Sequence, residues 1–444
     1  MDHGRTFGAI DPGHSKDKIN FLILPGVKNS EYFKGKNITI IGLARSGLSC
    51  ANLLHGLGAR VTLSESQDTP QIHSFAAKLV SEEIKYELGK HTPEFIAGRD
   101  LVVVSPGVPD SSEAVRWAQE RKIPLYSEIE VAAILCPATI IAVTGSCGKT
   151  TVTTLIGRIL QAAGKKTFVC GNIGNPFSGE VSRMAAGDFV SLEVSSFQLE
   201  RIRTFKPKIA LILNFTQNHL DRYNDMREYQ LAKQRIFMNQ ERDDFLVLNA
   251  DDPVLKKLAA EAKAKTVFFS RQDAANPNQA AVLAVAGILG IEKKTCADVF
   301  THFRGVEHRL ELVRKINGVS FINDSKATTV DSAIWALENI HSPVILIAGG
   351  KDKGLDYSLI LPFAKGKVKE VILIGEAKDK IRRALQGGLP FEEAATLQEA
   401  VERARAKAFP GDCVLLSPMC SSFDMFTSYE ERGRVFKEIV GRLP

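Results

Sequence analysis

The stretch Val143-Thr-Gly-Ser-Cys-Gly-Lys-Thr-Thr151 decides how the chain is read. Before it runs Ala138-Thr-Ile-Ile-Ala142, an apolar, β-branched segment of strand length. After it, Val152-Thr-Thr-Leu-Ile-Gly-Arg-Ile-Leu160 reads as a helix. Strand, glycine-containing turn and helix together are the setting a phosphate-binding loop needs. Gly145 and Gly148 let backbone amides turn toward an anion, and the helix start adds free N–H groups and partial positive charge. Lys149 has the reach for the β- and γ-phosphates, and the Thr150 hydroxyl can hold Mg²⁺. Val143 stands where the first glycine of the eight-residue pattern would be. By itself the motif therefore leaves an ordinary strand-to-helix turn open.

Composition narrows the rest. A chain of 444 residues exceeds one ordinary domain. It is 44% hydrophobic and 24% charged, as soluble globular proteins are. The net charge of +6 is spread along the chain without a basic run, which argues against nucleic acid as a partner. Seven cysteines without a CxxC pair point to reduced thiols and a cytoplasmic protein. The longest apolar run, Val131 to Val143, is too short to span a membrane and contains Pro137. Residues 1–32 read as a loosely ordered extension without a signal-peptide pattern.

Working outward toward the N-terminus, Asn37-Ile-Thr-Ile-Ile41, the turn Gly42-Leu-Ala-Arg-Ser-Gly47, a helix to Gly58 and Arg60-Val-Thr-Leu-Ser64 form a βαβ unit. Ala44 takes the place of the second glycine of GxGxxG, and Glu65 follows at the distance of a ribose partner. A nucleotide-diphosphate site and a plain packed βαβ unit both remain open here. Leu101-Val-Val-Val-Ser105 is a further buried strand ending in a Pro-Gly turn, Ser112 to Arg121 a helix, and Ile123-Pro-Leu-Tyr126 a short strand.

Beyond the phosphate loop, Thr167 to Cys170, Phe189 to Glu193 and Ile209 to Leu213 read as strands. Glu193 and His219 fall at or just after strand ends. In a parallel sheet those ends share one edge with the phosphate loop, so both side chains can converge on a nucleotide-bound Mg²⁺. The helix Met226 to Asn239 has an apolar face of Tyr229, Ala232, Ile236 and Phe237, with Lys233 inside the stripe. Such a lysine must snorkel, pair, or have its pKa lowered by burial. The last third repeats short strands that end in Asn323-Asp-Ser-Lys-Ala-Thr328, Ala348-Gly-Gly-Lys-Asp-Lys353, Gly375-Glu376 and Ser417-Pro-Met-Cys-Ser-Ser422. It reads as a second doubly wound α/β unit whose binding edge, rich in Lys, Ser and Thr, suits an acidic ligand.

Together these motifs resemble the Mur ligase family from about Phe33 to the C-terminus. Within it the branch that couples D-glutamate is indicated by Leu192-Glu-Val-Ser-Ser-Phe-Gln-Leu-Glu200 and Leu416-Ser-Pro-Met-Cys-Ser-Ser-Phe-Asp424. Further support comes from Gly171-Asn-Ile-Gly174, His219-Leu-Asp-Arg-Tyr223, Ala232-Lys-Gln-Arg-Ile236, Asn249-Ala-Asp-Asp252 and His308-Arg309. The resemblance implies an α/β protein of three domains after the extension. These are a Rossmann-like UDP-binding domain over 33–137, a P-loop ATP-binding domain with a parallel sheet over 138–304, and a doubly wound amino-acid-binding domain over 305–444. It implies a monomeric, cytoplasmic enzyme of peptidoglycan synthesis that acts on small molecules. That enzyme activates UDP-N-acetylmuramoyl-L-alanine with ATP and joins it to D-glutamate.

By the same resemblance, Gly145, Ser146, Cys147, Gly148, Lys149, Thr150, Thr151, Arg309 and Asp324 hold ATP. Thr150, Glu193, His219 and a carbamylated Lys233 serve two Mg²⁺ sites. Gly42, Leu43, Ala44, Glu65, Gly107, Asn172, Ser195 and Gln198 hold the UDP substrate. Lys326, Thr328, Lys353, Ser422 and Phe423 take D-glutamate. The chain departs from the family at Cys147, where Asn is usual, and at Asn218, where Asp is usual. It also has a short segment around 253–280, with Ala274-Ala275 in place of a His-Asn pair, and it carries the N-terminal extension. Two other readings follow from such a chain: a related ligase with another amino acid or acceptor, and a degenerate relative that binds nucleotide without turnover.

Overall fold

The computed structural model describes residues 29–215, 223, 225–303, 305–352 and 354–444. Continuous apolar runs such as Leu101–Val104 and Ile209–Ile212 are buried along their whole length. Strands buried so are covered by helices on both faces, as parallel sheets are. There are three sheets. The first contains β1 (Asn37–Ile41), β2 (Arg60–Ser64), β3 (Lys85–Glu87), β4 (Leu101–Val104) and β5 (Leu125–Ser127) in the order β3-β2-β1-β4-β5. The second contains β6 (Thr139–Thr144), β7 (Thr167–Gly171), β8 (Phe189–Glu193), β9 (Ile209–Ile212), β10 (Phe245–Asn249) and β11 (Lys265–Phe269), ordered β11-β10-β9-β6-β8-β7. The third contains β12 (Glu311–Ile316), β13 (Val319–Asn323), β14 (Val344–Gly349), β15 (Val368–Ile374), β16 (Phe391–Glu393) and β17 (Cys413–Leu416), ordered β12-β13-β17-β14-β15-β16.

The first two sheets are parallel throughout. The order of the first is that of a Rossmann-like unit, with its switch point between β1 and β4. There Gly42 leaves β1 at φ 95°, and a Cβ on it would stand 2.8 Å from the Ser105 Cβ. Only glycine allows the two strand exits to approach so closely.

The expected α/β architecture holds, with local differences. β5 begins at Leu125 rather than Ile123, because Pro124 has no amide to donate; its carbonyl still accepts from Val102 N at 2.9 Å. The helix at 226 ends its α-turns at Gln234 and continues as a 3₁₀ turn, Arg235–Phe237. β12, which the sequence reading did not identify as a strand, runs antiparallel to β13, so the third, doubly wound sheet carries one antiparallel edge. β12 is an edge strand with several exposed residues, as an antiparallel edge tolerates. Of the extension expected to be loosely ordered, residues 1–28 lie outside the described residues. Residues 29–32 are pinned: Ser30–Tyr32 is a 3₁₀ turn, Asn29 Nδ2 donates to Ile134 O (3.0 Å) and the Tyr32 and Tyr126 hydroxyls are 3.2 Å apart. Among the described residues no helix is long and apolar enough to cross a membrane.

The helix Glu128–Leu135 joins the first two sheets. Its Ile129, Val131 and Leu135 belong to one continuous core with Leu54 of the first sheet's layer and Phe177 and Phe205 of the second's. The cores of the third sheet are separate. Fully buried Glu130 locks this joint. Its Oε1 accepts from Thr204 N (2.7 Å) and Thr204 Oγ1 (2.6 Å), its Oε2 from Arg203 N and Phe205 N (2.9 Å each). Each of these donors would be stranded on removal of the carboxylate, at about 1–3 kcal/mol apiece. Glu130→Ala is therefore expected to lower the melting temperature by at least about 5 °C, whereas Glu130→Gln should lose about half as much. Differential scanning calorimetry checks this, and an unchanged transition in Glu130→Ala would remove the joint from the account.

Candidate active site

The phosphate loop leaves β6 and enters the helix Lys149–Ala162 through Gly148, at φ 81°. A Cβ there would come within 2.5 Å of the Asn278 Oδ1, so the loop and the helix Pro277–Ile288 meet only because residue 148 is glycine. Asn214 at the exit of β9 braces the loop. Its Oδ1 accepts from Cys147 N (2.9 Å) and its Nδ2 donates to Cys147 O (3.2 Å). The Ser146 and Tyr229 hydroxyls are 3.1 Å apart. Lys149 is folded over the loop, donating to Gly145 O (2.8 Å) and Ser146 O (2.9 Å). The Thr150 hydroxyl, buried, accepts from Lys326 Nζ of the third unit at 3.3 Å.

Glu193 ends β8 beside the loop. Its Oε1 accepts from Asn172 Nδ2 (2.7 Å), and its buried Oε2 has no hydrogen-bond partner among the described residues. Lys233 is 1% exposed, with its Nζ 4.6 Å from the Tyr229 ring centroid. Of the three readings left open for it, snorkelling does not hold, since the side chain is buried. Burial, reinforced by the Lys149 charge, pushes its pKa well below that of a free lysine, with Glu193 opposing. Lys149 is lowered by burial too, with Glu193 opposing and Arg309 adding to the fall. Lys326 is brought down to about 8 by burial, again against Glu193. Four cations, Lys149, Lys233, Lys326 and Arg309, thus bear on this one buried carboxylate or on one another. The arrangement is short of negative charge and suits a polyphosphate and a carboxylate.

The donor set fits Mg²⁺. An unsatisfied carboxylate oxygen and a hydroxyl beside a phosphate loop are the few protein ligands such an ion takes when phosphates supply the rest. Among the described residues no group of three or more His, Cys, Asp and Glu forms a protein-only metal cage.

The remaining candidates divide. Leu43 N donates to Glu65 Oε2 (2.8 Å) and Gln67 N to Glu65 Oε1 (2.9 Å), so Glu65 ties the turn after β1 to β2, with Ala44 capping the next helix and Gly107 exposed on the loop after β4. Ser195 and Gln198 bond each other in a capping box, a local role that their sequence spacing also fits. Thr151 lies in the first turn of the helix behind the loop. Asp324 is buried, accepting from Leu310 N (3.2 Å) and Ser417 Oγ (2.9 Å). Thr328 follows Lys326 in the loop after β13, Ser422 is buried, and Phe423 is 53% exposed. His219, Asn218 and Lys353 lie outside the described residues. Sequence reading missed Asn214 and Asn278 as parts of the site and placed Tyr229 only in an apolar face. Asn214 directly follows the strand Ile209 to Leu213, the one signal that points to it. Two cavities of about 440 and 590 Å³ share Gln119, Leu125 and Arg203 and include none of the loop residues.

Comparison with known proteins agrees along the chain. Residues 36–127 match the model of the Mur ligase MurD-like N-terminal domain, 143–312 that of the Mur ligase middle domain, and 308–420 that of the Mur ligase glutamate ligase domain. The chain is 41% identical to the UDP-N-acetylmuramoylalanine–D-glutamate ligase of Thermoanaerobacter pseudethanolicus, over 92% of this chain and 99% of that one. It is 42% identical to the ligase of the same name from Geotalea uraniireducens, over 92% and 98%. Among solved structures it is similar in fold to the UDP-N-acetylmuramate-alanine ligase of Thermotoga maritima (TM-score 0.56, 18% identity, 91% of this chain and 99% of that one). It is also similar to the MurF ligase of Thermotoga maritima in complex with ADP (TM-score 0.56, 15% identity, 96% and 100%).

Asp324 provides a test of this geometry. Burial pushes its carboxyl up to about 7, with Arg309, Ser417 and Leu310 N opposing. In the unfolded chain it ionises near 4, so between about pH 4 and about pH 7 the folded state holds the extra proton. Its contribution is full below the unfolded pKa and is lost as pH rises through the folded value. The melting temperature of the wild type is thus expected to fall relative to Asp324→Asn across that window and to level off above it. Parallel thermal melts without nucleotide check the sign; a gap that stays constant from about pH 4 to about pH 7 would show Asp324 charged throughout.

Proposed function

The chain belongs to the Mur ligase family, and we propose that it catalyses the ATP-dependent addition of D-glutamate to UDP-N-acetylmuramoyl-L-alanine in peptidoglycan precursor synthesis. The observation that carries this is the convergence of Lys149, Lys233, Lys326 and Arg309 with Glu193 where the phosphate loop meets the third unit. The names and coverage of the relatives at 41% and 42% identity support the choice of substrates.

A carboxylate does not acylate an amine until its oxygen is converted to a leaving group. The alanyl carboxylate of the UDP substrate attacks the γ-phosphorus of ATP; the bond to ADP breaks and an acyl phosphate forms. The D-glutamate nitrogen attacks the acyl carbon, phosphate leaves with the bonding pair, and the amine loses a proton. Little covalent work falls to the protein, so positioning and charge neutralisation carry the rate. Lys149 and the amides of 145–151 hold the phosphates, with Arg309 and Asp324 toward the rest of the nucleotide. Thr150, Glu193 and His219 would hold Mg²⁺, which lowers the cost of bringing anions together; two such ions are our reading. Asn172 aims Glu193. Lys326, Thr328, Lys353, Ser422 and Phe423 would serve the incoming amino acid. Gly42, Leu43, Ala44, Glu65 and Gly107, with Ser195 and Gln198 nearer the reacting end, serve the UDP substrate.

Lys233 completes the site as a carbamate. Burial and the Lys149 charge favour the uncharged amine of Lys233, the form that adds to CO₂; the nitrogen then loses one proton and an anion stands beside Lys149. We divide the chain into units of 33–137, 138–304 and 305–444, and read it as a cytoplasmic monomer acting on small molecules.

Phosphate release with ATP, Mg²⁺ and UDP-N-acetylmuramoyl-L-alanine is expected to depend on D-glutamate and not on L-glutamate. Dependence on another amino acid would keep the mechanism and change the product; UDP-substrate binding without release would make the chain a binding protein. Lys149→Ala should reduce release by at least about 10²-fold. Lys233→Ala should be nearly inactive and regain part of its rate with acetate; full activity without acetate would leave Lys233 a structural residue.

A further inference from the structure

Arg45 stands one residue past Ala44, at the start of the helix Arg45–Gly56. Its Nη2 donates to Gly174 O, at the end of the Gly171–Gly174 loop of the second unit. Its Nη1 is 3.6 Å from Glu430 Oε1 in the first turn of the C-terminal helix Tyr429–Arg442. One guanidinium therefore touches all three units. Glu430 also takes a hydrogen bond from the neighbouring Tyr429 side chain. The Tyr429 ring lies 5.7 Å from Lys326 Nζ, which itself reaches Thr150 Oγ1 across the cleft.

The cores explain why such a contact matters. The first and second units share one continuous core through the helix Glu128–Leu135, whereas the third unit's cores are its own. The third unit is therefore held on the others mainly by polar contacts, and those contacts set how often Lys326 is opposite the phosphate loop. A ligand that needs the assembled form binds with its intrinsic affinity divided by the assembled fraction.

We propose that Arg45 is a positioning residue that latches the third unit over the phosphate loop through Glu430 and Gly174, and so sets the apparent affinity for the incoming amino acid. The inference rests on the ligase reading for its kinetic readout only. The pair is partly exposed, with side chains 53% and 31% accessible, so the effect is modest and falls with salt.

The test is a double-mutant cycle on the full chain with Arg45→Ala and Glu430→Gln. Each single variant is expected to raise the KM for D-glutamate about three- to tenfold, and the double variant no more than the worse single one. The charge swap Arg45→Glu with Glu430→Arg should recover part of the loss, through the ion pair alone, since a carboxylate at 45 cannot donate to Gly174 O. Equilibrium binding of UDP should be unchanged in Glu430→Gln. Small-angle scattering gives a readout independent of turnover: both single variants should have a larger radius of gyration than the wild type at low salt, converging with it at high salt. Additive effects on KM overturn the proposal. So does a wild-type-like Glu430→Gln beside an Arg45→Ala variant that loses UDP binding, which would make Arg45 a nucleotide contact alone. A wild type without D-glutamate-dependent release would sink the ligase reading instead, and the scattering comparison would still decide the latch.

Discussion

Like charge crowded into a half-buried cleft is the constraint around which this protein is arranged. The Arg309 charge lowers Lys149, the Arg309 and Lys149 charges lower Lys326, the Lys149 charge lowers Lys233, and the opposing charge for the lysines is chiefly Glu193. In a medium that screens poorly, two cations about 4 Å apart repel by several kcal/mol. The protein answers in three ways. It lowers lysine pKa values by burial, it folds Lys149 back onto the carbonyls of residues 145 and 146, and it leaves one Glu193 oxygen unsatisfied. Anionic substrates relieve all three conditions at once. Preorganised positive charge that costs nothing to arrange at the moment of reaction is the main source of rate in phosphoryl transfer.

Parallel topology puts that charge in one place. β6 lies between β8 and β9, so the exits of the three strands deliver the phosphate loop, Glu193 and Asn214 to one edge. The first sheet presents its own switch point at Gly42 and Ser105. The third presents the loop after β13, with Lys326. Carboxyl ends of parallel strands bind ligands because the loops there are free to vary while the strands beneath stay fixed. The joints differ in kind. A shared core and the fourfold-bonded Glu130 weld the first unit to the second. The third meets them through Lys326–Thr150 and Arg45–Glu430, contacts that water and salt can weaken. A site completed across the weaker joint can open to admit a substrate and exclude water when closed.

Much of this was legible from residues alone. Short apolar strands that end in Gly, Ser, Thr and Lys named the fold class, because a strand buried on both faces has few other compositions. The phosphate loop was legible because its function needs glycines and a lysine at fixed spacing. Lys233 was legible as an anomaly, a charge in an apolar stripe, and its 1% exposure bears that out. Less was visible where sequence has no period. β12 alternates weakly, and its antiparallel pairing follows from its place at the sheet edge. Asn29 to Tyr32 pass for a tail until Tyr126 and Ile134 are brought beside them.

The sequence by itself determined the elements, the parallel class of the sheets and the chemistry available at their ends, since these follow from periodicity and side-chain type within a dozen neighbouring residues. The tertiary structure alone decided which of those ends meet. Lys326 and Thr150 are 176 positions apart, and Arg45 reaches a carbonyl 129 positions away. No local pattern encodes such pairs, because they exist only after three sheets have buried their faces and set the angles between them. The partial choices of the sequence, a glycine at 148 beside Asn278 or an arginine at 45 beside Glu430, acquire their meaning from that packing.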